Sequence, residues 1–331
     1  MAKNNYEIGV VGLGRMGGDL SLQALGKGIR VAGYTVEGAS AELLEAGLRE
    51  VKSLEGFRKE LKPPRMIFIY IPAGPAVDEV IKALTETLEK DDIIIDGGNS
   101  YWGDSIRRHE MVEGTGMHFV DLGTSGGVEG ARKGACFMAG GDKGPVSVIE
   151  PVLLQLAVAG GYVHAGPAGM GHFVKLVHNG IEFGMLQAIG EGVGLLEHNK
   201  DKIDIPGVLG CWRHGSVIRS WLVDLLDEAY KNQGGLEKVS PFIEDTGEVN
   251  WLVSDAVQME VPIPVIAMSV MALFTSRDGV KDWARAIAMM RHGFGGHPFG
   301  PSEPVRRERV EGRVGDIVKT DISGKPSRKV A

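Results

Sequence analysis

The sequence predicts an α/β fold: an N-terminal doubly wound domain followed by a mostly α-helical C-terminal domain. Three observations carry this. Short apolar runs alternate with helix-like segments up to about residue 164. A glycine-rich turn follows the first of those runs. Beyond about residue 165 strand signals become sparse and a helical period takes over. Continuous apolar runs with helices between them mark a parallel sheet covered on both faces. The runs are Ile8–Val11, Arg30–Tyr34, Met66–Ile71, Ile93–Ile95, Phe119–Val120 and Cys136–Ala139. The stretch from Ala165 to Gly171 reads as the junction, giving a dinucleotide-binding domain over 1–165 and a helical domain over 166–313. A long helix is expected from about Ala168 to Glu197. Further helices are expected over Val208–His214, Val217–Tyr230, Trp251–Met259, Ile266–Thr275 and Asp282–Met290. The polar tail, 314–331, reads as poorly ordered.

Composition narrows the function. The 331 residues are 43% hydrophobic and 24% charged, ordinary for a globular enzyme, and carry a net charge of -7. That balance argues against nucleic acid as a partner, because phosphate backbones demand a basic surface. An anionic small molecule remains compatible with it. The N-terminus is polar and runs straight into a strand, so no signal peptide is expected. The longest apolar stretch, Val261 to Phe274, contains Pro262 and Pro264 and is too short to span a bilayer. The two cysteines, Cys136 and Cys211, have no metal-ligand spacing and read as reduced thiols. A cytoplasmic protein with no membrane partner and no metal is expected.

Gly12-Leu13-Gly14-Arg15-Met16-Gly17 lies between a strand and a helix, where glycines allow a tight turn and a pyrophosphate can approach helix N–H groups. This is the Rossmann-type context that the motif requires. About twenty residues on, an acid would bind the ribose of NAD and an Arg the 2′-phosphate of NADP. Thr35 stands there, with Glu37 close by and no Arg or Lys following closely, so NAD is favoured over NADP. Two further turns, at Pro72-Ala73-Gly74 and Asp96–Ser100, lie at carboxyl ends of strands, where doubly wound sheets bind ligands. The amide of Asn99 can bond both a nicotinamide ribose and a substrate hydroxyl.

The chemistry concentrates in Lys175-Leu-Val-His178-Asn179-Gly-Ile-Glu182. On a helix Lys175, His178, Asn179 and Glu182 fall at i, i+3, i+4 and i+7, which is one face. A buried helix rarely carries four polar groups on one stripe, and one polar substrate accounts for all of them.

These segments resemble the 6-phosphogluconate dehydrogenases: Gly12–Gly17, Asp96–Ser100, Ser125-Gly126-Gly127 with Gly130-Ala131, and Lys175–Glu182. The similarity continues through Trp212-Arg213 and Ile218-Arg219-Ser220 to Phe294–His297, as in the shorter branch of that family, whose helical domain is not duplicated. The resemblance implies oxidative decarboxylation of 6-phosphogluconate or a related aldonate to ribulose 5-phosphate and CO2. In that scheme Lys175 takes the proton of the C3 hydroxyl while hydride leaves for NAD(P). Protonated Lys175 then stabilises the enolate, and Glu182 protonates what becomes C1 of the ketose. An apolar wall and a cationic nicotinamide suit a neutral Lys175. His178, Asn179, Asn99, Ser125, Gly126 and Gly127 would hold the sugar acid. Arg291 and His297 match a segment that the family inserts into a second subunit's site, which implies a homodimer or higher homo-oligomer.

The sequence departs from the family at the phosphate end. A tyrosine after the glutamate is here Phe183, a basic residue before Trp251 is Asn250, and a helical arginine falls at Leu273, with Arg277 one turn on. Each lost charge-assisted contact costs on the order of 1.5–3 kcal/mol, so weakened selectivity for the 6-phosphate is expected. Two other readings compete. One is a non-decarboxylating β-hydroxyacid dehydrogenase using Lys175 and Asn179. The other is a non-catalytic dinucleotide-binding protein that kept the fold.

Overall fold

A computed structural model describes residues 5–199, 201–244, 246–295 and 298–299. The tail from 314 and the side chain of His297 lie outside them. The chain opens as β1 (Glu7–Val11), α1 (Arg15–Gly26), β2 (Arg30–Tyr34), α2 (Ala41–Glu45), β3 (Arg49–Glu50) and α3 (Gly56–Glu60). It continues as β4 (Met66–Ile69), α4 (Pro75–Thr87), β5 (Ile93–Asp96), α5 (Trp102–Glu113), β6 (His118–Ser125), α6 (Gly127–Lys133), β7 (Ala135–Gly140), α7 (Lys143–Leu156) and β8 (Ala157–Gly166). The eight strands form one sheet in the order β3-β2-β1-β4-β5-β6-β7-β8. The order reverses between β1 and β4, the switch point at which such sheets open a crevice for ligands.

Alternation along the central strands explains the two covered faces. Ile8, Val10, Phe68, Ile93 and Ile95 belong to one buried cluster. Their neighbours Val11, Ile67, Ile69, Ile94 and Phe119 belong to the other. Successive side chains of a strand point to opposite faces, so a strand apolar at every position must be covered twice.

The sheet differs from the expected one in two respects. β6 and β7 pair antiparallel, while the other neighbours are parallel. The connecting stretch Gly126–Gly134 holds only the seven-residue α6, and a parallel return needs about a dozen residues or more. The strands β3 and β8 were also not expected. β3 has two residues, and β8 is an edge strand with no fully buried residue, so neither writes a continuous apolar run.

The remaining described elements are helical: α8 (Met170–Glu197), α9 (Ile205–Trp212), α10 (Trp221–Gln233), a short 3-10 turn (Leu236–Lys238), α11 (Glu248–Gln258), α12 (Pro264–Arg277) and α13 (Asp282–Gly295). Contacts divide the described residues into two compact units. One runs to Asn179 and takes in Glu248–Ser254; the other comprises Gly180–Gly247 and the residues from Asp255 on. In the second unit Val193, Ile205 and Leu209 form a small core with Trp212, Leu226 and Tyr230. Arg213 anchors α9 to α10 through Asp227 at 2.7 Å and Asp224 at 3.0 Å. Among the described residues no helix is long and apolar enough to cross a membrane.

Phe68 has no exposed surface and sits at the centre of the sheet. Phe68→Ala is expected to cost about 3–5 kcal/mol of unfolding free energy, read by chemical denaturation. A loss below about 1 kcal/mol would contradict this placement.

Candidate active site

The glycine turn after β1 is built for a ligand. Gly12 has φ 89°, and a Cβ there would lie 2.3 Å from the carbonyl oxygen of Tyr70. A Cβ on Gly17 would lie 2.0 Å from the carbonyl oxygen of Gly12. Both must be glycine for the turn to close. Around Gly14, by contrast, nothing lies within 4 Å of where a Cβ would be. Gly14 caps α1 with no side-chain hydrogen bond, and the first turn has no acidic residue. Leu13 packs against Gly33 of β2, and the exposed Arg15 and half-buried Met16 open α1. An open glycine at an uncapped helix start leaves N–H groups for an anion. The residues present therefore fit a pyrophosphate.

Next to this turn is a cavity of about 400 Å³ lined by Val11, Gly12, Tyr34, Thr35, Val36, Leu54, Ile71, Ala76, Glu79 and Val80. Thr35 is thus on the wall, while Glu37 is exposed and not among the lining residues. Glu79 is the one charged residue among them.

Arg108 clamps the two loops beyond β4 and β5. It is 1% exposed. Its Nη1 donates to Asp96 Oδ2 and to Ser100 Oγ, both at 3.1 Å, and its Nε donates to Asp78 Oδ1 at 2.8 Å. Its Nη2 reaches the carbonyl oxygen of Gly74 at 3.3 Å. The turn that carries the exposed Pro72 and Ala73 is thus tied at Gly74 to the same buried cation as the loop carrying Asn99. Burial alone would raise the carboxyl of Asp78, but hydrogen bonds from Arg108 and Arg107 outweigh it and hold the group below its usual range. Burial pushes the phenol of Tyr70 up. That phenol stays protonated and pairs with Thr124 Oγ1 at 3.1 Å.

A second set of contacts seats α8 on the sheet. Asp121, fully buried on β6, accepts from the backbone N–H of Gly169 at 2.7 Å and of His172 at 2.8 Å. It is a cap supplied from a strand to the start of a helix. The fit is close: a Cβ on Gly171 would lie 2.5 Å from the carbonyl oxygens of Asp121 and Met138. A Cβ on Gly123 would lie 2.6 Å from Lys175 Cβ. The stem of Lys175 thus rests on a bare stretch of strand.

From there a chain of polar groups runs along the helix. Lys175 Nζ donates to Asn179 Oδ1 at 2.8 Å, and His178 Nδ1 lies 3.2 Å from the same oxygen. His178 Nε2 meets Ser125 Oγ at 3.0 Å. Lys175 and Asn179 are buried, at 9% and 7% exposure. Gly126 and Gly127 follow Ser125 with φ 117° and 59°, and the space at Gly127 is open. Glu182, half-buried, lies on α8 in the second unit. There, Phe183 is half-buried and Leu273 buried, while Arg291 on α13 is exposed.

Three residues of this arrangement escape sequence reasoning. Asp121 and Arg108 read as ordinary polar positions within a strand and a helix. Glu248 comes from α11, where its Oε1 lies 3.4 Å from Asn99 Nδ2 and 3.5 Å from Asn179 Nδ2. A detached cluster, His109, Glu113 and Asp142, brings possible metal-ligand atoms within 4.8 Å among the described residues, and shares none with the Lys175 row.

A doubly wound sheet with an open glycine turn at its switch point defines a dinucleotide-binding fold. Residues 7–166 match the NAD binding domain of 6-phosphogluconate dehydrogenase, and residues 171–291 match the C-terminal domain of 6-phosphogluconate dehydrogenase. YqeC of Bacillus subtilis (strain 168), itself only provisionally named a 6-phosphogluconate dehydrogenase, is 41% identical over 292 residues, covering 88% of this chain and 98% of its own. The NAD(+)-dependent, decarboxylating 6-phosphogluconate dehydrogenase of Haloferax volcanii is 36% identical over 294 residues, covering 88% of this chain and 97% of its own. The structure of Plasmodium falciparum 6-phosphogluconate dehydrogenase, known with its cofactor NADP+ and its substrate, matches with a TM-score of 0.75 at 29% identity, over 92% of this chain and 68% of its own. The chain belongs to the 6-phosphogluconate dehydrogenase family.

Arg108→Met leaves the fully buried Asp96 without its cation. The expected loss is about 3–5 kcal/mol, with weaker dinucleotide binding by calorimetry because both loops lose their shared anchor. Wild-type affinity for the dinucleotide in a folded R108M protein would refute the clamp.

Proposed function

We propose that this chain oxidatively decarboxylates 6-phosphogluconate or a related aldonate, yielding ribulose 5-phosphate or the corresponding ketose and CO2. The observation that carries the reading is the bonded row Lys175–Asn179–His178–Ser125. The bound dinucleotide would accept the hydride from C3. Lys175 takes the proton of the C3 hydroxyl as the hydride departs. The resulting 3-keto acid loses CO2, and the ammonium of Lys175 offsets the charge that develops on the enolate oxygen. Glu182 then delivers a proton to the carbon that lost CO2, C2 of the acid and C1 of the ketose. Asn99, Asn179 and His178 hold the C3 hydroxyl and the carboxylate, with Ser125 and the amides of Gly126 and Gly127.

The wall of the dinucleotide cavity favours NAD over NADP. It offers Glu79 and neither Arg nor Lys, so a 2′-phosphate there would meet a carboxylate. The phosphate end of the substrate site favours a relaxed requirement for the 6-phosphate. Leu273 is buried and apolar, Phe183 has no hydroxyl, and the exposed Asn250 carries no charge. Arg291 and His297 are assigned to the site of a second copy, which makes the active form a dimer or larger.

Steady-state assays of several aldonates with NAD and NADP test this reading. Close to one CO2 per NAD(P)H is expected; reduced dinucleotide without CO2 would point to a simple β-hydroxyacid dehydrogenase. Lys175→Met is expected to lower kcat by at least about a hundredfold. Unchanged turnover in K175M would end the assignment of Lys175 as the base. A kcat/KM preference above about a thousandfold for 6-phosphogluconate over gluconate, roughly 4 kcal/mol, would overturn the relaxed phosphate requirement.

A further inference from the structure

Glu248 opens α11, is half-buried, and belongs to the same compact unit as Lys175 and Asn179. An acidic residue in the first turn of a helix is ordinary. What sets this one apart is what it faces. Its Oε1 lies within 3.4 Å of Asn99 Nδ2, on the loop after β5, and within 3.5 Å of Asn179 Nδ2, on α8. Two carboxamides from separate elements turn their NH2 ends to one oxygen.

We propose that Glu248 is a positioning residue of this site: its carboxylate fixes which end of the Asn179 and Asn99 carboxamides faces the reacting groups. The proposal rests on the functional reading above. The two ends of a carboxamide have nearly the same shape, so its partners decide which way it points. An ionised carboxylate only accepts hydrogen bonds, so Glu248 can pair only with Nδ2. Asn179 must then present Oδ1 to Lys175, and that oxygen lies 2.8 Å from Nζ.

The orientation matters to a base. A neutral amine has N–H groups to donate and one lone pair to accept a proton. With Oδ1 facing it, Lys175 donates an N–H to Asn179 and keeps its lone pair for the substrate hydroxyl. A reversed carboxamide would offer an N–H, which only the lone pair could accept. Glu248 thereby keeps the base available without touching the proton in transit.

The test compares full-length holoenzymes carrying Glu248→Met, which keeps bulk but no acceptor, and Glu248→Gln, which keeps an acceptor oxygen. Expected are a fall in kcat of at least about tenfold for E248M and recovery to within about threefold for E248Q. In an Asn179→Ala background E248M should change kcat less than about twofold, because the two act as one unit. A kcat for E248M within twofold of wild type, or losses that simply multiply in the double variant, would overturn the proposal. The side-chain amide signals of 15N-labelled Asn179 provide a readout free of turnover: they should shift in E248M and stay close to wild type in E248Q. If the wild type releases no CO2 from any aldonate, the functional reading fails, and the amide signals alone decide whether Glu248 holds Asn179. Identical Asn179 signals in E248M and wild type would refute it.

Discussion

The seat of α8 on β6 is the constraint on which the site depends. Asp121, fully buried, accepts backbone N–H groups at the start of that helix with both of its carboxylate oxygens. A carboxylate at a helix N-terminus meets both unpaired donors and the positive end of the dipole. Gly123, Gly140 and Gly171 remove every side chain that would hold helix and strand apart. Lys175 follows one turn after Gly171, so its position is set by backbone packing rather than by its own flexible stem.

Around that fixed point the other groups arrive by separate routes. β6 ends in Ser125, which meets His178. The loop after β5 carries Asn99, and Arg108 ties that loop to the turn at Gly74 through a network closed by Asp96, Asp78 and Ser100. A guanidinium suits this role because its planar fork serves several acceptors at once. Removing it would leave the buried carboxylate of Asp96 without its cation, which costs far more than the ion pair gains. Rigid neighbours of this kind hold catalytic groups to small tolerances.

Much of this was legible from residues alone, and the reasons are local. The central strands carry continuous apolar runs because both faces are covered, so β1, β2, β4 and β5 announce themselves. The glycine turn and the Lys175–Asn179 stripe are short-range patterns, and both fold as their spacing predicts. The strand at Cys136–Ala139 was legible, but its antiparallel direction was hidden because direction depends on the length of a connection, not on hydrophobicity. β8 was hidden by exposure. Arg108, Asp121 and Glu248 were hidden because their partners are remote: Glu248 lies 69 positions from Asn179, and Asp121 lies 48 from Gly169. Periodicity cannot signal such pairs.

The most direct measurement is a crystal structure of the chain with an aldonate and NAD bound. The account predicts Lys175 Nζ within about 3 Å of the oxygen on the carbon to be oxidised, and α8 still capped by Asp121. A sugar acid bound with no oxygen within about 4 Å of Lys175, or an α8 lifted from β6, would contradict it.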